Sequence, residues 1–568
     1  MWQRKHWLIF CLLVIVAAGF RISVAHWLAN DNPDDGRVYA QIARDVLEQH
    51  IYSHDAEPPY EPTLIRTPGY PLFIAFVYTV FGHGNNGAVR VIQGLIDTGT
   101  CVLVALLAFI WQPDEQRKTV TALVALAFAA VNPFTTIYSA TILPEVPTMF
   151  LTMAACVTSS VALQAGDPRR QMLYWSISGL LAGLDVLFRP DMGLLAAAIG
   201  IVLLVSVVRR SRRLLPESSP KGSGRRLQWT LVAAFVFSLS FAIALLPWTI
   251  RNSRTFHRFQ PIAPAHAEMP NEFIPHGYNR WLKTWLDDPQ YIDPMEWELD
   301  VQPINIGDLP DYAFDSDEER DRVAELFDKY NHPQTQVTVN SVGPQPSPTP
   351  PPSSSPIASP TPESSPKANE NANAQAESNN ENDNTNDEGD ENEESDKENS
   401  EANASHGPVE MTPEIDGAFA QIAAERISRH PFRYYVLMPL RRARALWFNT
   451  HSDFWPFEGT LLPLEDLDYD IHQHIWLPLF AIIVAIYTIG GFGGGYVLWT
   501  TEDFFARLWL LMISLIVVLR LGFLSTLENP EPRYVVEFFP FLAALGGIAV
   551  SYFLKRNPNL SESPSQKA

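Results

Sequence analysis

Apolar residues dominate the chain in runs of about twenty, separated by short polar stretches, and a helix of that length crosses the roughly 30 Å of a bilayer's hydrocarbon. Ten such runs predict ten transmembrane helices, at about 7–27, 87–111, 119–140, 144–164, 173–189, 191–208, 229–249, 475–499, 505–526 and 534–554. The fold class expected is therefore an all-α polytopic membrane protein. The first run follows Arg4 and Lys5 like a secretory leader, but no small-residue cleavage site ends it, so it reads as a retained helix. The fifth and sixth runs nearly join at Arg189 and Pro190. RTPGYPLFIAFVYTVFG, from Arg66, is apolar but short and interrupted by proline. It reads as a juxtamembrane or re-entrant element; the alternative, a crossing, would invert every later span.

Two stretches carry a helical apolar face without the length to cross. GRVYAQIARDVLEQH repeats Val38, Ile42 and Val46 at four-residue spacing, with Tyr39, Ala43 and Leu47 beside them. The segment from Ala418 to Phe448 alternates apolar positions with Arg426, Arg429, Arg433, Arg441, Arg442 and Arg444. Both suit juxtamembrane helices lying in the plane of the interface. Between the two halves lies a low-complexity insert, about 341–412, Pro/Ser-rich and then acidic. It cannot bury enough apolar area to offset chain entropy and is expected to be disordered. The organisation expected is 1–268, an N-terminal transmembrane module with a long first loop; 269–340, a second loop segment; 341–412, the insert; 413–473, juxtamembrane helices; and 474–568, C-terminal spans and tail.

Composition sharpens this. With 46% hydrophobic and only 18% charged residues, the chain is no simple soluble globule. Its three cysteines, Cys11, Cys101 and Cys156, all lie in apolar runs and read as small core residues rather than a disulfide framework. The net charge of −22 is uneven: 361–401 holds 14 acidic residues against two lysines. No basic groove for nucleic acid follows from this balance. Lys and Arg gather in alternate loops, most densely between the sixth and seventh runs (Arg209 to Arg226). By the positive-inside rule both termini are cytoplasmic and the two long loops, about 28–86 and 251–474, face outward.

That topology brings polar residues to one outer face. Asp34 and Asp35 follow the first span, Arg66 lies in RTPGYP, Arg90 opens the second span, and Glu145 sits in ILPE. Arg189 and Asp191 lie in FRPD, Arg251 and Asn252 in PWTIRN, and Arg533 and Tyr534 in NPEPRY. Charges at membrane depth are costly and face a cavity or a partner, so these ends suggest a shared polar site. Asp35 reads either as an N-cap of the amphipathic helix or as a general base with Tyr39 one turn on; Asp34 can exchange roles with it. Glu145 reads as a functional acid or as the partner of an arginine such as Arg189. The arginines either snorkel from helix ends or, by their planar forks, hold phosphate.

In this order D-x-x-x-Y (Asp35 to Tyr39), RTPGYPLFIAFVYTVFG, AVRVIQGLID, ILPE, FRPD, PWTIRN and PRYVVEFFPF resemble the GT-C glycosyltransferases of the dolichyl-phosphate-mannose-protein mannosyltransferase type. They are most similar to the bacterial RgtA/B/C/D-like (family 39-like) branch. The resemblance covers about 1–268 and, more loosely, 413–555; the insert is foreign to it. It implies a GT-C-like enzyme of the plasma membrane that takes a sugar from a polyprenyl-phosphate donor. The sugar would pass to an extracytoplasmic glycan, glycolipid or protein acceptor, with Asp35 as base and Glu145 as second acid. Asp34, Tyr39, Arg66, Arg90, Arg189, Arg251, Asn252, Arg533 and Tyr534 would bind substrate. No cofactor and no catalytic metal are expected. A lipid or polysaccharide transporter and an O-antigen ligase or polymerase remain the alternatives.

Overall fold

The computed structural model describes residues 3–29, 34–213, 221–264, 269, 273–333, 409–461 and 471–556. Helices occupy the apolar runs, and no β-strand forms among the described residues. In chain order the first helices are α1 (Arg4–Trp27), α2 (Asp34–Glu48), α3 (Gly69–Phe81), α4 (Asn86–Trp111), α5 (Lys118–Ala130) and α6 (Pro133–Thr136). Next come α7 (Glu145–Gln164), α8 (Pro168–Phe188), α9 (Gly193–Arg213) and α10 (Lys221–Phe256). The remainder are α11 (His276–Leu282), α12 (Asp317–Asn331), α13 (Pro413–Arg429), α14 (Met438–Phe448), α15 (Ile471–Thr500), α16 (Phe504–Leu524) and α17 (Phe539–Arg556). Among the described residues eight helices are long and apolar enough to cross a membrane, and a ninth span is counted if a bent pair is one crossing.

The bent pair corrects the third expected span. Its axis turns by 55° between Lys118–Ala130 and Pro133–Ser139. Pro133 has no N–H to continue the helix, and the Asn132 side chain accepts from the Phe134 and Thr135 N–H groups to start the next turn. The carbonyls stranded at the end of α5 are taken by Arg21 of α1, which donates to Ala129 O and Ala130 O at 3.0 Å each. Asp97 of α4 balances this buried guanidinium at 2.5 Å. The sixth expected crossing, 191–208, lies in α9, which counts as a shorter apolar helix over Pro190–Ser206, the side chains beyond 206 lying outside the described residues. Pro190 closes α8 at Arg189 and starts a 3₁₀ turn before α9. The RTPGYP stretch forms α3, which falls in the shorter apolar class.

Close helix approach depends on small residues. An added Cβ at Gly179 or Gly183 of α8 would lie 2.2 Å from Phe237 O or 2.6 Å from Phe241 O of α10. The GLLAG sequence thus sets that contact. At Gly69 a Cβ would lie 2.5 Å from Leu187 O, so the start of α3 rests against the end of α8.

A second core lies in α11, α12 and α13, where Tyr278, Trp281, Trp285, Phe327 and Phe419 pack together. Arg442 of α14 donates to Leu286 O at 2.8 Å and Lys283 O at 2.7 Å, and Lys283 pairs with Glu528 at 2.8 Å. These bonds tie this helical unit to the membrane bundle. Residues 334–408 lie outside the described residues, and with them the expected insert from 341 to 408. Its last four expected residues, 409–412, instead join the second core, where Val409 and Met411 are buried. The basic side chains between α9 and α10 and the end of the tail also lie outside the described residues.

Candidate functional site

Buried charge gathers at one end of the bundle, where α2 and α7 begin and α8 and α16 end. Asp35, in the first turn of α2, is gripped by two arginines. Arg66 donates to Oδ1 at 2.6 Å, and Arg533, from the 3₁₀ turn Pro532–Phe538, approaches Oδ2 at 3.1 Å. Arg533 also pairs with Glu531 and stands over the Tyr534 ring, 5.3 Å from its centroid. Arg66 stands over the Tyr39 ring at 5.8 Å, and Tyr39 packs edge-on against Tyr70 of α3. Burial alone would raise the Asp35 carboxyl, but Arg533 and then Arg66 outweigh it and hold it below the ordinary aspartate value. The side chain of Asp34 lies outside the described residues.

Beside this group stands a closed ring of charges. Arg189, in the turn after α8, donates from Nε to Asp191 Oδ1 at 3.3 Å, and its NH1 lies 3.3 Å from Glu537 Oε1. Arg520 of α16 meets the other oxygen of each acid, Asp191 Oδ2 at 2.7 Å and Glu537 Oε2 at 2.9 Å. Two guanidiniums and two carboxylates cancel, which makes this burial tolerable. Glu145 hangs from the ring by Oε1, 2.9 Å from Arg189 NH1, while its buried Oε2 has no hydrogen-bond partner among the described residues. Tyr534 joins the two groups, because Arg189 stands 5.2 Å from its ring centre on one side of the site and Arg533 5.3 Å on the other.

The groups differ in access. The Asp35 and Arg66 side chains keep 25% and 26% of their surface open. Arg189 keeps 10%, while Glu145, Glu537 and Arg520 keep 3% or less. Asp35, Arg66 and Arg533 are thus more open than Arg189, Glu145, Glu537 and Arg520.

The structure thus brings together Asp35, Tyr39, Arg66, Glu145, Arg189, Arg533 and Tyr534. Arg251 and Asn252 have other partners: Arg251 donates to Thr63 O at 2.7 Å and Tyr52 O at 3.3 Å among the rings of Tyr52, Trp248 and Phe256. Asn252 donates to Gln260 O at 2.8 Å. They brace the first long loop, which touches the site through Tyr52 OH donating to Arg66 O at 3.1 Å. Arg90 lies half-buried in the second turn of α4. Sequence reasoning missed Arg520 and Glu537, although a charge inside an apolar run was available as the signal. It also missed Asp453, outside the spans. Burial, helped by Glu458 and Glu531 and opposed by Arg533, pushes the Asp453 carboxyl up to about 7. Among the described residues no group of three or more His, Cys, Asp or Glu side chains is arranged to hold a metal ion.

A polytopic helical bundle with a sealed charge ring and an accessible arginine-held carboxylate is the class this geometry defines. Residues 65–242 match the sequence model of the family described as dolichyl-phosphate-mannose-protein mannosyltransferase. The match takes in Arg66, Arg90, Glu145, Arg189 and Asp191, covers less than half of the chain, and agrees with the resemblance carried by the motifs. No curated protein matches the chain. Among solved structures, the archaeal oligosaccharyltransferase AglB from Archaeoglobus fulgidus, in complex with an inhibitory peptide and a dolichol-phosphate, is similar at 12% identity and a TM-score of 0.46. That alignment covers 100% of this chain and 53% of the other, so this chain spans about half the length of AglB. ArnT from Cupriavidus metallidurans in the apo state is similar at 13% identity and a TM-score of 0.32, covering 99% of this chain and 81% of that one. Its form bound to undecaprenyl phosphate gives 13% and 0.31, covering 99% and 82%.

Proposed function

We propose that this chain is a membrane glycosyltransferase that moves a sugar from a polyprenyl-phosphate donor to an acceptor hydroxyl. The observation that carries the reading is an accessible carboxylate, Asp35, set between two guanidiniums, Arg66 and Arg533, at one end of a membrane bundle. The family described for 65–242, whose named donor is a dolichyl-phosphate sugar, supports the donor class. The acceptor oxygen attacks the anomeric carbon and its proton passes to Asp35. The bond from that carbon to the phosphate oxygen breaks, and its electron pair leaves with the lipid phosphate. Arg66 and Arg533 offset the extra negative charge, which such a leaving group needs more than it needs a proton. Glu145, with Oε2 unpartnered, is available to a substrate hydroxyl.

The distribution of Lys and Arg supports a plasma-membrane protein with both termini cytoplasmic and the charged cluster at the extracytoplasmic boundary. The acceptor is then an extracytoplasmic glycan, glycolipid or protein. In the same reading residues 1–268 and 474–568 form the membrane module, and the segments between them are extracytoplasmic, with the acidic insert a spacer.

The test is release or transfer of labelled sugar in proteoliposomes, from a panel of undecaprenyl-phosphate mannose, glucose and arabinose. Wild-type protein should turn over at least one donor. Asp35→Asn should lose about a hundredfold or more while inserting normally. Vesicle uptake without turnover of any donor would favour a transporter.

A further inference from the structure

The group best placed to act as base is also, as its partners hold it, the one least able to. Both oxygens of Asp35 are engaged, Oδ1 by Arg66 at 2.6 Å and Oδ2 by Arg533 at 3.1 Å. A carboxylate held by two guanidiniums is a weak proton acceptor. The same two guanidiniums are the accessible cations of the site, since Arg189 and Arg520 are locked into the sealed ring with Asp191 and Glu537. A phosphodiester offers what this carboxylate offers: two oxygens on one atom and a single negative charge, the pattern that arginine forks recognise.

We propose that Asp35 is a placeholder for the donor's phosphate: the incoming phosphate takes Arg66 and Arg533, and the carboxylate they release becomes the proton acceptor. The proposal rests on the donor class proposed above and adds a coupling to it. The base is suppressed while both arginines hold it and is freed by the arrival of the group whose departure it must assist.

Both arginines have anchors that survive the exchange. Arg533 keeps Glu531 and the Tyr534 ring. Arg66 keeps the Ile65 carbonyl at 3.3 Å and the Tyr39 ring. The charges balance as well. Asp35, Arg66, Arg533 and Glu531 sum to zero, so an added anion makes the site negative and raises the proton affinity of the released carboxylate. The groups facing Asp35 are Arg66 from the first long loop, Arg533 and Tyr534 from the turn before α17, and Tyr39 from its own helix. Glu531 stands behind Arg533, and Glu145 and Asp453 lie within electrostatic reach of it.

The sign of the linkage follows. Binding that raises the proton affinity of Asp35 takes up a proton, so affinity for the anion rises as pH falls. The probe is the methyl diester of undecaprenyl phosphate, which carries one charge at every pH used and no sugar to transfer. Titrated into purified full-length protein in lipid nanodiscs, it should bind wild type more tightly at pH 5 than at pH 8. Asp35→Asn, which has no carboxylate to expel, should bind at least roughly tenfold more tightly than wild type at pH 8 and, in an Asp453→Asn background, lose the pH dependence. Arg533→Gln should weaken binding in both backgrounds.

Binding by Asp35→Asn equal to or weaker than wild type overturns the placeholder, and so does a flat pH profile in wild type. Tight binding that survives Arg533→Gln puts the anion elsewhere and overturns it too. If Asp35→Asn does not fold, the pH profile of Asp453→Asn, in which Asp35 is intact, decides alone. Any of these outcomes, with the probe still bound, leaves the lipid-phosphate donor class standing; no binding by any variant sinks both.

Discussion

Arg189 and Arg520 grip the same two carboxylates, Asp191 and Glu537, each acid giving one oxygen to each arginine at 2.7–3.3 Å. The four side chains come from the turn after α8, from α16 and from the turn before α17, so the ring fastens separate parts of the bundle and presents Arg189 to Glu145. Removing Arg520 leaves Asp191 and Glu537 to share one guanidinium in a dry site. Arg520→Met should destabilise the protein by about 3–5 kcal/mol. Adding Glu537→Met restores the charge balance and should recover much of that loss. Thermal unfolding in detergent, followed by size-exclusion fluorescence, measures both.

The α8–α10 contact should be intolerant of side chains. Gly179→Leu places a Cβ 2.2 Å from the Phe237 carbonyl and should cost about 1–3 kcal/mol or more. Gly200→Ala in α9, where a Cβ would meet nothing within 4 Å, should be neutral or stabilising by up to about 1 kcal/mol. Equal melting temperatures for the two variants would contradict the packing described.

Stability should fall as pH rises across the titration of Asp453. Its folded carboxyl titrates at about 7, against about 4 for an unfolded aspartate. Between those values the native state binds a proton that the unfolded chain does not, so each step up in pH favours unfolding until about pH 7, where the effect levels off. Asp453→Asn should flatten that slope in melting curves taken from pH 4 to pH 8.

Replacing 341–405 with a short Gly/Ser linker should leave the second core folded and sugar transfer within about twofold of wild type. The chain returns to the same unit it left: Glu410 N–H donates to Tyr330 O at 3.3 Å and Met411 N–H to Asp300 Oδ1 at 2.6 Å. Limited proteolysis of the shortened protein checks the fold, and the donor assay checks transfer.

Apolar runs made most of the bundle legible, because a span must satisfy its own backbone and so announces itself by length. The exceptions have local causes. Pro133 splits one run at a point that average hydropathy does not register, and Pro190 parts α8 from α9. The meeting of Asp35, Arg66 and Arg533 could be anticipated because each lies beside a span end, where a charge stands out. Arg520 and Glu537 were hidden inside LIVVLRLGFL and RYVVEFFPF, where surrounding leucines, valines and phenylalanines dominate the reading. Arg251 shows the opposite failure. Its place at a helix end looked like that of Arg533, but the nearby Thr63 and Tyr52 carbonyls claim its guanidinium, and only three-dimensional packing separates the two.

The guanidinium of Arg21 makes the first helix an internal brace of the bundle as well as an anchor. Carbonyls of α5 lean on a side chain synthesised about a hundred residues earlier. Loss of that one guanidinium would therefore reach two places at once, stripping the bend of a charged support and leaving the buried Asp97 without its counter-charge.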